Sequence, residues 1–196
     1  APAFESYLYP GMLAGHSVAV NHAGLVQTIN NIRSDDLKPR IPRHIICRAV
    51  LEATSIPEAI GHLRRDDRAS GFHHAIGMLG EAAPLSIEAP ASASVIRAVD
   101  TPQAHANHLL DPYFAKLGQN VTGSSLYRQT AVDAYLNDGG DPQTPEAALF
   151  QHGGQPFTRQ APGVGRDAVH DLDHRRRQAA GRIVRARRGV GRERFA

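Results

Sequence analysis

Asparagine side chains stand at two points of the sequence where an amide donor could take part in chemistry. Residues 20–31 read VNHAGLVQTINN, an alternating run, a turn built on Asn-x-x-Gly and a second alternating run that ends on Asn30 and Asn31. A hairpin needs turn residues in its middle but has no use for two amides at its far end. A further asparagine, Asn107, precedes His108 in AHANHLL. Side-chain amides can donate hydrogen bonds to an oxyanion, although asparagine at a strand end is most often a turn or edge residue.

Histidines are a second set of residues with chemical potential, as ligands of a metal ion. His105 and His108 are three positions apart, and His73 and His74 lie on a neighbouring predicted strand. Residues i and i+3 of a strand point to opposite faces, so His105 and His108 could share a metal only if the chain bends. No cysteine or carboxylate pattern completes a ligand set. The sequence therefore predicts no metal site.

The hydrophobic pattern predicts the elements that must position these residues. Alternation bounded by turn residues predicts strands at 4–9, 16–21, 25–30, 71–79, 84–89, 94–99 and 104–110. Apolar residues on one face predict a helix from Pro42 and another over 124–136, and the pair Ser55 and Glu58 predicts the capped start of a helix between them. A short helix is predicted over 144–151. This order of elements is typical of an α+β protein with mostly antiparallel sheets.

The composition also bears on where the protein works. A single cysteine, Cys47, rules out an internal disulfide framework and fits a reducing compartment. No apolar run approaches the roughly eighteen residues that a membrane-spanning helix needs. The first residues, APAFESYLYP, have neither the basic start nor the apolar run of a signal peptide. The sequence therefore predicts a cytoplasmic protein with no membrane partner.

The carboxyl-terminal part differs in charge from the rest of the chain. Residues 159–196 hold 11 arginines and 4 acidic residues, whereas residues 1–158 hold 11 basic and 15 acidic residues, so the net charge of +3 averages two unlike regions. No hydrophobic period survives in this arginine-rich tail, which is predicted to be disordered. Nucleic-acid binding through the tail is an alternative function, because arginines release counterions from phosphates. The tail has no base-reading motif, so nucleic acid is not the expected partner.

Five segments of the chain form an ordered series: YPGMLAGHSVAVNHAGLVQTINNIR, IPRHIICRAVLEATSIPEAI, SGFHHAIGMLGEAAPLSIEA, AHANHLL and SSLYRQ. Together they resemble the acyl-coenzyme A:6-aminopenicillanic acid acyltransferase family of N-terminal-nucleophile hydrolases, over about residues 9–140. The resemblance implies a four-layer αββα fold, with two antiparallel sheets face to face and helices outside. It also implies a self-cleaving amidohydrolase or acyltransferase that uses its exposed N-terminal cysteine as nucleophile and the new α-amino group as base, with no metal or organic cofactor.

The resemblance implies catalytic roles for three residues. Asn107 matches an asparagine that donates to the oxyanion in the family. Asn31 matches the asparagine that follows the same hairpin in related amidases. Arg128 lies where the family has an arginine on a helix near the active site, and its guanidinium would hold the nucleophile's surroundings or a substrate carboxylate.

Other residues are expected to contact the substrate, which by resemblance is a small-molecule amide or acyl thioester. These residues are Asn30, which is also the rival of Asn31 as a donor, together with His108 and Tyr9. Glu88 matches a glutamate at a strand end of the family, and the resemblance implies no role for it.

Two departures from the family pattern lead us to expect an incomplete and inactive chain. The family's nucleophilic cysteine lies well upstream of the Tyr-Pro-Gly stretch, whereas this sequence begins a few residues before it, and Cys47 is expected to be an inert buried thiol. A one-base shift near Gly163 would turn residues 169–176 into the Thr- and Val-rich string of the family's closing strand. We therefore expect a missing N-terminal segment, an incomplete core over 1–158 and a frameshifted tail over 159–196. A non-catalytic fragment is the alternative to an enzyme.

Overall fold

A six-stranded antiparallel sheet organises residues 1–141, the part of the chain that this computed structural model describes. Its strands lie side by side in chain order, each hydrogen-bonded to the next. They are β1 (Phe4–Ser6), β2 (Ala19–Asn21), β3 (Leu25–Asn31), β4 (Phe72–Met78), β5 (Leu85–Ala89) and β6 (Val95–Ala98). Two helices, α1 (Arg43–Val50) and α2 (Ile56–Leu63), lie between β3 and β4 in the chain, and α3 (Gly123–Asn137) follows the sheet.

The pairing of β3 with β4 determines which residues share a face of the sheet. Leu25 lies opposite Met78 and Asn31 opposite Phe72, in a continuous register. Because side chains alternate along a strand, one face packs against α1 and α2, and we call it the helix-side face. Its buried core consists of Leu25, Ile46, Val50, Ala53, Ala59, Leu63, Ile76, Ile87 and Ala89. Complete burial of one such isoleucine or leucine contributes about 1.5–3 kcal/mol.

The other face of the sheet, which we call the loop-side face, is more polar. Register and alternation assign to it Val26, Thr28, Asn30, His73, Ala75, Ser86, Glu88, Val95 and Arg97. His73 and Glu88 are nevertheless almost fully buried. They are buried because the chain that follows β6 crosses this side of the sheet, as the hydrogen bonds of Glu88 show.

The hairpin between β2 and β3 is fixed by a buried asparagine. Asn21 Oδ1 accepts hydrogen bonds from the backbone of the turn, including Leu25 N at 3.1 Å, and its Nδ2 donates to the carbonyls of Leu51 and Ala53 at the end of α1. Gly24 has a positive φ of 93°, a conformation that costs a residue with a Cβ atom. One asparagine of this hairpin thus also binds the chain where it leaves α1.

The predicted helix caps and helices of residues 1–141 are confirmed. Ser55 Oγ accepts from Glu58 N at 3.3 Å, and the Glu58 carboxylate accepts from Thr54 N at 2.8 Å, so the capping pattern begins α2 as expected. The predicted helix over 124–136 is observed as α3, and Thr122 caps its start.

Two expectations about the sheets are not met among residues 1–141. Two sheets face to face are not seen, because every strand pairs with its neighbour in the chain and all six enter one sheet. The segment 104–110, predicted as a strand, is instead an irregular loop. Its backbone N–H groups donate to side-chain oxygens, which leaves no ladder of main-chain hydrogen bonds to make it a strand.

Several predictions fall outside the described residues. They are the short helix over 144–151, the disordered and frameshifted tail over 159–196, and the domain boundary at residue 158.

The described helices also bear on membrane insertion. Within residues 1–141, none of them combines the length and the apolar character that crossing a bilayer requires.

Candidate active site

The segment between β6 and the short 3₁₀ turn at Pro112–Phe114 carries Asn107, and we call residues 104–111 the Asn107 loop. Five of its backbone N–H groups donate to side-chain oxygens at 2.6–3.1 Å. The acceptors are Gln129 Oε1 for Ala106, Ser125 Oγ for Asn107, Gln119 Oε1 for Leu109, and the two carboxylate oxygens of Glu88 for Leu110 and Asp111. Helix α3 and strand β5 therefore hold the loop from two sides.

The side chain of Asn107 bridges the sheet and α3. Its Oδ1 accepts a hydrogen bond from Arg128 Nη2 at 2.8 Å, and its Nδ2 donates to the backbone carbonyl of Asn31 at 3.1 Å. These two contacts fix the plane of the amide. An amide nitrogen has two hydrogens, and no hydrogen bond within residues 1–141 uses the second one. That N–H group is available to a ligand.

Arg128 strengthens this donor. Burial lowers the pKa of its guanidinium from the usual value, but an arginine stays charged at any physiological pH. A cationic donor on Oδ1 draws electron density from the Asn107 amide, and successive hydrogen bonds polarise one another, so the Nδ2 hydrogens become better donors. The Nε atom of Arg128 is buried and has no partner within residues 1–141. It remains a second charged donor beside Asn107.

Asn30 and Asn31 lie on opposite faces of the sheet. Asn31 is opposite Phe72 on the helix-side face, where its buried Oδ1 has no hydrogen-bond partner among the described residues. Asn30 is opposite His73 on the loop-side face, and its Nδ2 donates to the carbonyl of His105. Asn107 thus meets the main chain of Asn31 rather than its side chain. Of the two neighbours, Asn30 is the one whose side chain contacts the Asn107 loop.

The other expected substrate contacts lie in different surroundings. His108 is buried, and its Nδ1 is hydrogen-bonded to Ser125 Oγ at 2.8 Å, so its ring supports the loop next to Asn107. Burial, and then the electrostatic interaction with the nearby His105, lower the pKa of His108. Tyr9 is half-exposed and makes edge-to-face ring contacts with Tyr7 and His16. The structure brings Asn107, Asn31 and Arg128 together, but it does not bring Tyr9 to them.

Stacked imidazoles line the cleft beside the loop. The rings of His73 and His105 stack at 3.5 Å and are nearly parallel. His73 Nε2 and Ser86 Oγ are hydrogen-bonded at 2.9 Å, while His105 Nε2 donates to Glu88 Oε1 at 2.7 Å. Burial, followed by the electrostatic interaction with the stacked His105 ring, lowers the pKa of His73 to about 2. His73 is therefore neutral at physiological pH and too weak a base to activate the Ser86 hydroxyl.

Two adjoining cavities form this cleft on the loop-side face. The larger, of about 240 Å³, has polar and apolar walls without aspartate, glutamate, lysine or arginine, and these walls include Thr28, Asn30, His73, Ser86, Gln103 and His105. The smaller, of about 160 Å³, adds Glu88, Arg97 and Asp111. Arg97 and Asp111 form an ion pair at 2.8 Å, and Glu88 is bound to the loop. The cleft therefore suits a small, uncharged and partly apolar group.

Cys47 is not arranged to act as a nucleophile. It lies on α1 and is fully buried, and burial raises the pKa of its thiol to about 12. At neutral pH the thiol therefore stays protonated, and the thiolate is the form that attacks. This environment agrees with the expectation from the sequence that Cys47 is an inert buried thiol.

The histidines do not converge on a common point. His105 Nε2 turns to Glu88 and His108 Nδ1 turns to Ser125. Among residues 1–141, no group of three or more histidine, cysteine, aspartate or glutamate side chains is arranged to hold a metal ion.

Sequence reasoning missed three residues that build the site, and it noted a fourth, Glu88, without giving it a role. Ser125, Gln129 and Gln119 bind the backbone of the Asn107 loop, and Glu88 binds it from the sheet. In α3 the sequence offered one signal: positions 125 and 129 are four apart, hence on one helix face, and both carry polar residues. The structure shows that both are buried. In β5 the signal was a lone acid in the run Leu-Ser-Ile-Glu-Ala.

Comparison with known proteins gives the chain its family. The family profile described as acyl-coenzyme A:6-aminopenicillanic acid acyl-transferase matches residues 1–161. A β-alanyl-dopamine/carcinine hydrolase of Drosophila melanogaster is 39% identical over 62 residues, a match that covers 31% of this chain and 16% of that protein. The chain thus spans about a sixth of the length of this curated relative, whereas the family match covers most of the 196 residues. On that match, the chain belongs to the acyl-coenzyme A:6-aminopenicillanic acid acyl-transferase family.

Proposed function

We propose that residues 1–141 form the carbonyl-binding side of a site that hydrolyses an amide or transfers its acyl group, and that an acyl thioester can serve as an alternative donor. The observation that carries this proposal is the Asn107 amide, held at Oδ1 by Arg128 and at Nδ2 by Asn31, with one N–H left to donate. Membership of the family supports the reaction class.

The proposed role of Asn107 is to stabilise the oxyanion. When a nucleophile adds to the carbonyl carbon, the C=O π electrons move to the oxygen, and the free Nδ2 hydrogen of Asn107 donates to it. Arg128 makes this hydrogen a stronger donor through Oδ1. Because the amide is already oriented, little reorganisation is needed as the charge develops. A single preorganised donor of this kind is worth about 10²–10³-fold in kcat.

The proposed nucleophile is the sulfur of an N-terminal cysteine in a segment outside the 196 residues, exposed by self-cleavage. Cys47, the one cysteine of the sequence, does not fill this role, because it is buried and its thiol pKa is raised to about 12. In the first step a C–S bond forms and the sulfur's proton moves to the cysteine's own α-amino group. The intermediate then collapses, the C–N bond breaks, and that proton passes to the departing amine. Water or an acceptor amine cleaves the resulting thioester.

The proposed substrate is a small-molecule amide or acyl thioester whose neutral portion occupies the cleft beside the Asn107 loop. The support is the cleft's lining, since its larger part has no ionisable side chain other than the stacked imidazoles His73 and His105. β-Alanyl-dopamine and carcinine belong in a first substrate panel because they give the relative its name.

The test compares the 196-residue chain with a longer chain that includes the coding sequence upstream of Ala1. We expect the longer chain to turn over at least one amide or thioester of the panel, and mass spectrometry to detect a new N-terminal cysteine. We expect no turnover from the 196-residue chain. A Cys47→Ala variant of the longer chain is the control and should keep its kcat within about twofold, because a buried protonated thiol does not attack. Turnover by the shorter chain that Cys47→Ala abolishes would overturn the proposal.

A further inference from the structure

Glu88 is a buried carboxylate that the proposed mechanism does not use. It lies on β5 with 4% of its surface exposed. Its oxygens accept three hydrogen bonds: from Leu110 N at 2.6 Å, from Asp111 N at 3.1 Å and from His105 Nε2 at 2.7 Å. Burying an ionised carboxylate is costly unless its oxygens are hydrogen-bonded, and here three donors meet that requirement. All three donors belong to the Asn107 loop.

The positions of these donors in the loop are informative. His105 precedes Asn107 by two residues, and Leu110 and Asp111 follow it by three and four. Glu88 therefore binds the loop on both sides of Asn107 and leaves Asn107 itself to α3, where Ser125 Oγ accepts from its backbone N–H at 2.8 Å. The carboxylate fixes the loop to the sheet, and α3 fixes its tip.

The Asn107 loop must be held by both the sheet and α3, because the Asn107 side chain contacts both of them. Nδ2 reaches the carbonyl of Asn31 in β3, and Oδ1 reaches Arg128 in α3. A loop that rises from the sheet would lengthen the first contact, which at 3.1 Å is already at the long end for a hydrogen bond. The free N–H group would then change direction. Displacements of about 1 Å in catalytic groups cost about 10²-fold in rate.

We propose that Glu88 is a positioning residue: its carboxylate binds the Asn107 loop on both sides of Asn107 and thereby orients the Asn107 amide toward the substrate carbonyl. This inference rests on the proposed function, in which Asn107 donates to the oxyanion. Glu88 lines the smaller cavity, but its proposed role involves no contact with the reacting carbonyl or the nucleophile and is exerted through the loop.

The first experiment uses nuclear magnetic resonance on the 196-residue chain. Glu88→Gln keeps the shape of the side chain but offers one acceptor oxygen in place of two, so it can satisfy only one of the two backbone N–H groups. We expect amide exchange at Leu110 or Asp111 to become about tenfold faster or more, and the side-chain NH₂ resonances of Asn107 to shift. Amides of β4 should keep their protection. Glu52→Gln, which removes an exposed glutamate paired with Arg48, is the matched control and should leave the loop unchanged.

A second variant guards against loss of folding. Glu88→Asp retains charge and both oxygens on a shorter side chain, so it should shift the Asn107 resonances less than Glu88→Gln does. If β4 loses its protection in Glu88→Gln, the comparison is made on Glu88→Asp alone. Unchanged Asn107 resonances in a folded Glu88 variant would overturn the positioning role whatever the activity shows.

The second experiment measures turnover in the longer, active chain. We expect Glu88→Gln to lower kcat about 10–100-fold while KM changes less than about threefold, because the loop orients a donor that acts in the transition state. In Asn107→Ala the loop has no donor left to orient, so adding Glu88→Gln should lower kcat no further. Losses that multiply in the double variant would show that Glu88 acts independently of Asn107. If Asn107→Ala alone leaves kcat unchanged, the proposed function fails, and the resonance experiment still decides whether Glu88 orients Asn107.

Discussion

His73 and His74 are neighbours on β4 that point to opposite faces of the sheet, and the two faces are built by different forces. On the helix-side face, Leu25, Ile76 and Ile87 pack against α1 and α2 with no exposed surface. On the loop-side face, the buried side chains are polar, and Glu88 among them binds the backbone of the Asn107 loop by hydrogen bonds.

The helix-side face mainly determines the stability of the fold, whereas the loop-side face mainly determines the orientation of the Asn107 amide. Apolar burial is roughly proportional to area and has no preferred direction, so the helix-side face stabilises the fold without fixing any one atom closely. Hydrogen bonds depend strongly on distance and angle, so the loop-side face holds one amide in one orientation. We therefore expect changes on the helix-side face to alter stability alone, and changes beneath the loop to alter the Asn107 amide as well.

Acid should destabilise the protein from both faces. Burial lowers the pKa of His73 to about 2 and that of His74 to about 3. The unfolded chain binds protons at these sites below its pKa of 6.5 and the folded chain does not, so stability is complete above pH 6.5 and falls as the pH decreases. We expect the free energy of unfolding to fall by about 3 kcal/mol between pH 6.5 and pH 5. Urea titrations at a series of pH values measure it.

The contribution of each histidine can be separated by substitution. His74→Leu removes one of the two titrating groups and should halve the pH slope that they cause together. A free energy of unfolding that is flat between pH 6.5 and pH 5 would contradict the burial of both rings as neutral imidazoles.

A cavity on the helix-side face tests whether that face carries stability alone. Ile76 has no exposed surface, and Ile76→Ala should lower the free energy of unfolding by about 2–4 kcal/mol, from lost transfer energy and the cavity left behind. Val26→Ala, on the loop-side face and 44% exposed, is the control and should cost less than about 1 kcal/mol. The side-chain resonances of Asn107 should not move in either variant. A shift in Ile76→Ala would mean that the two faces are coupled.

Removal of one hydroxyl beneath the loop should lower stability less than the Ile76→Ala cavity does, but it should disturb the orientation of the Asn107 amide more. Ser125 is fully buried, and its Oγ binds both Asn107 N and His108 Nδ1. Ser125→Ala should lower the free energy of unfolding by about 1–2 kcal/mol, because two polar groups lose their partner, and should shift the Asn107 resonances. Ser124→Ala, one position earlier in α3, should do neither. Equal effects of the two variants would show that the hydroxyl does not hold the loop.

The helix-side face could be predicted from the sequence because its signal is periodic. The alternation of Leu25, Gln27 and Ile29 and the one-faced pattern around Ile46 and Val50 are what burial against a sheet requires. The capping pair Ser55 and Glu58 was likewise visible, since it depends on residues only three positions apart. These features are local or repeat along the chain.

The loop-side face could be predicted only in part. The asparagines and Arg128 were identified by resemblance, and their meeting at the Asn107 amide follows from distant parts of the chain. The segment 104–110 looked like a strand because its apolar residues alternate with polar ones. Its hydrogen-bond partners Ser125, Gln129 and Glu88 lie 18 to 23 positions away in other elements, and no periodic signal reports such pairs. The single sheet of residues 1–141 also depends on strand pairing that hydrophobicity does not encode.

In the proposed mechanism the free N–H of Asn107 stabilises an oxyanion. The most direct test of this role compares kcat of two variants of the active longer chain, Asn107→Ala and Asn120→Ala. Asn120 is an exposed asparagine in a neighbouring loop, which makes it the matched control. We predict that Asn107→Ala lowers kcat about 10²–10³-fold with KM changed less than about threefold, and that Asn120→Ala stays within about twofold of the unsubstituted chain. If Asn107→Ala retained its full kcat while remaining folded, the amide would not be the oxyanion donor and the claim would be wrong.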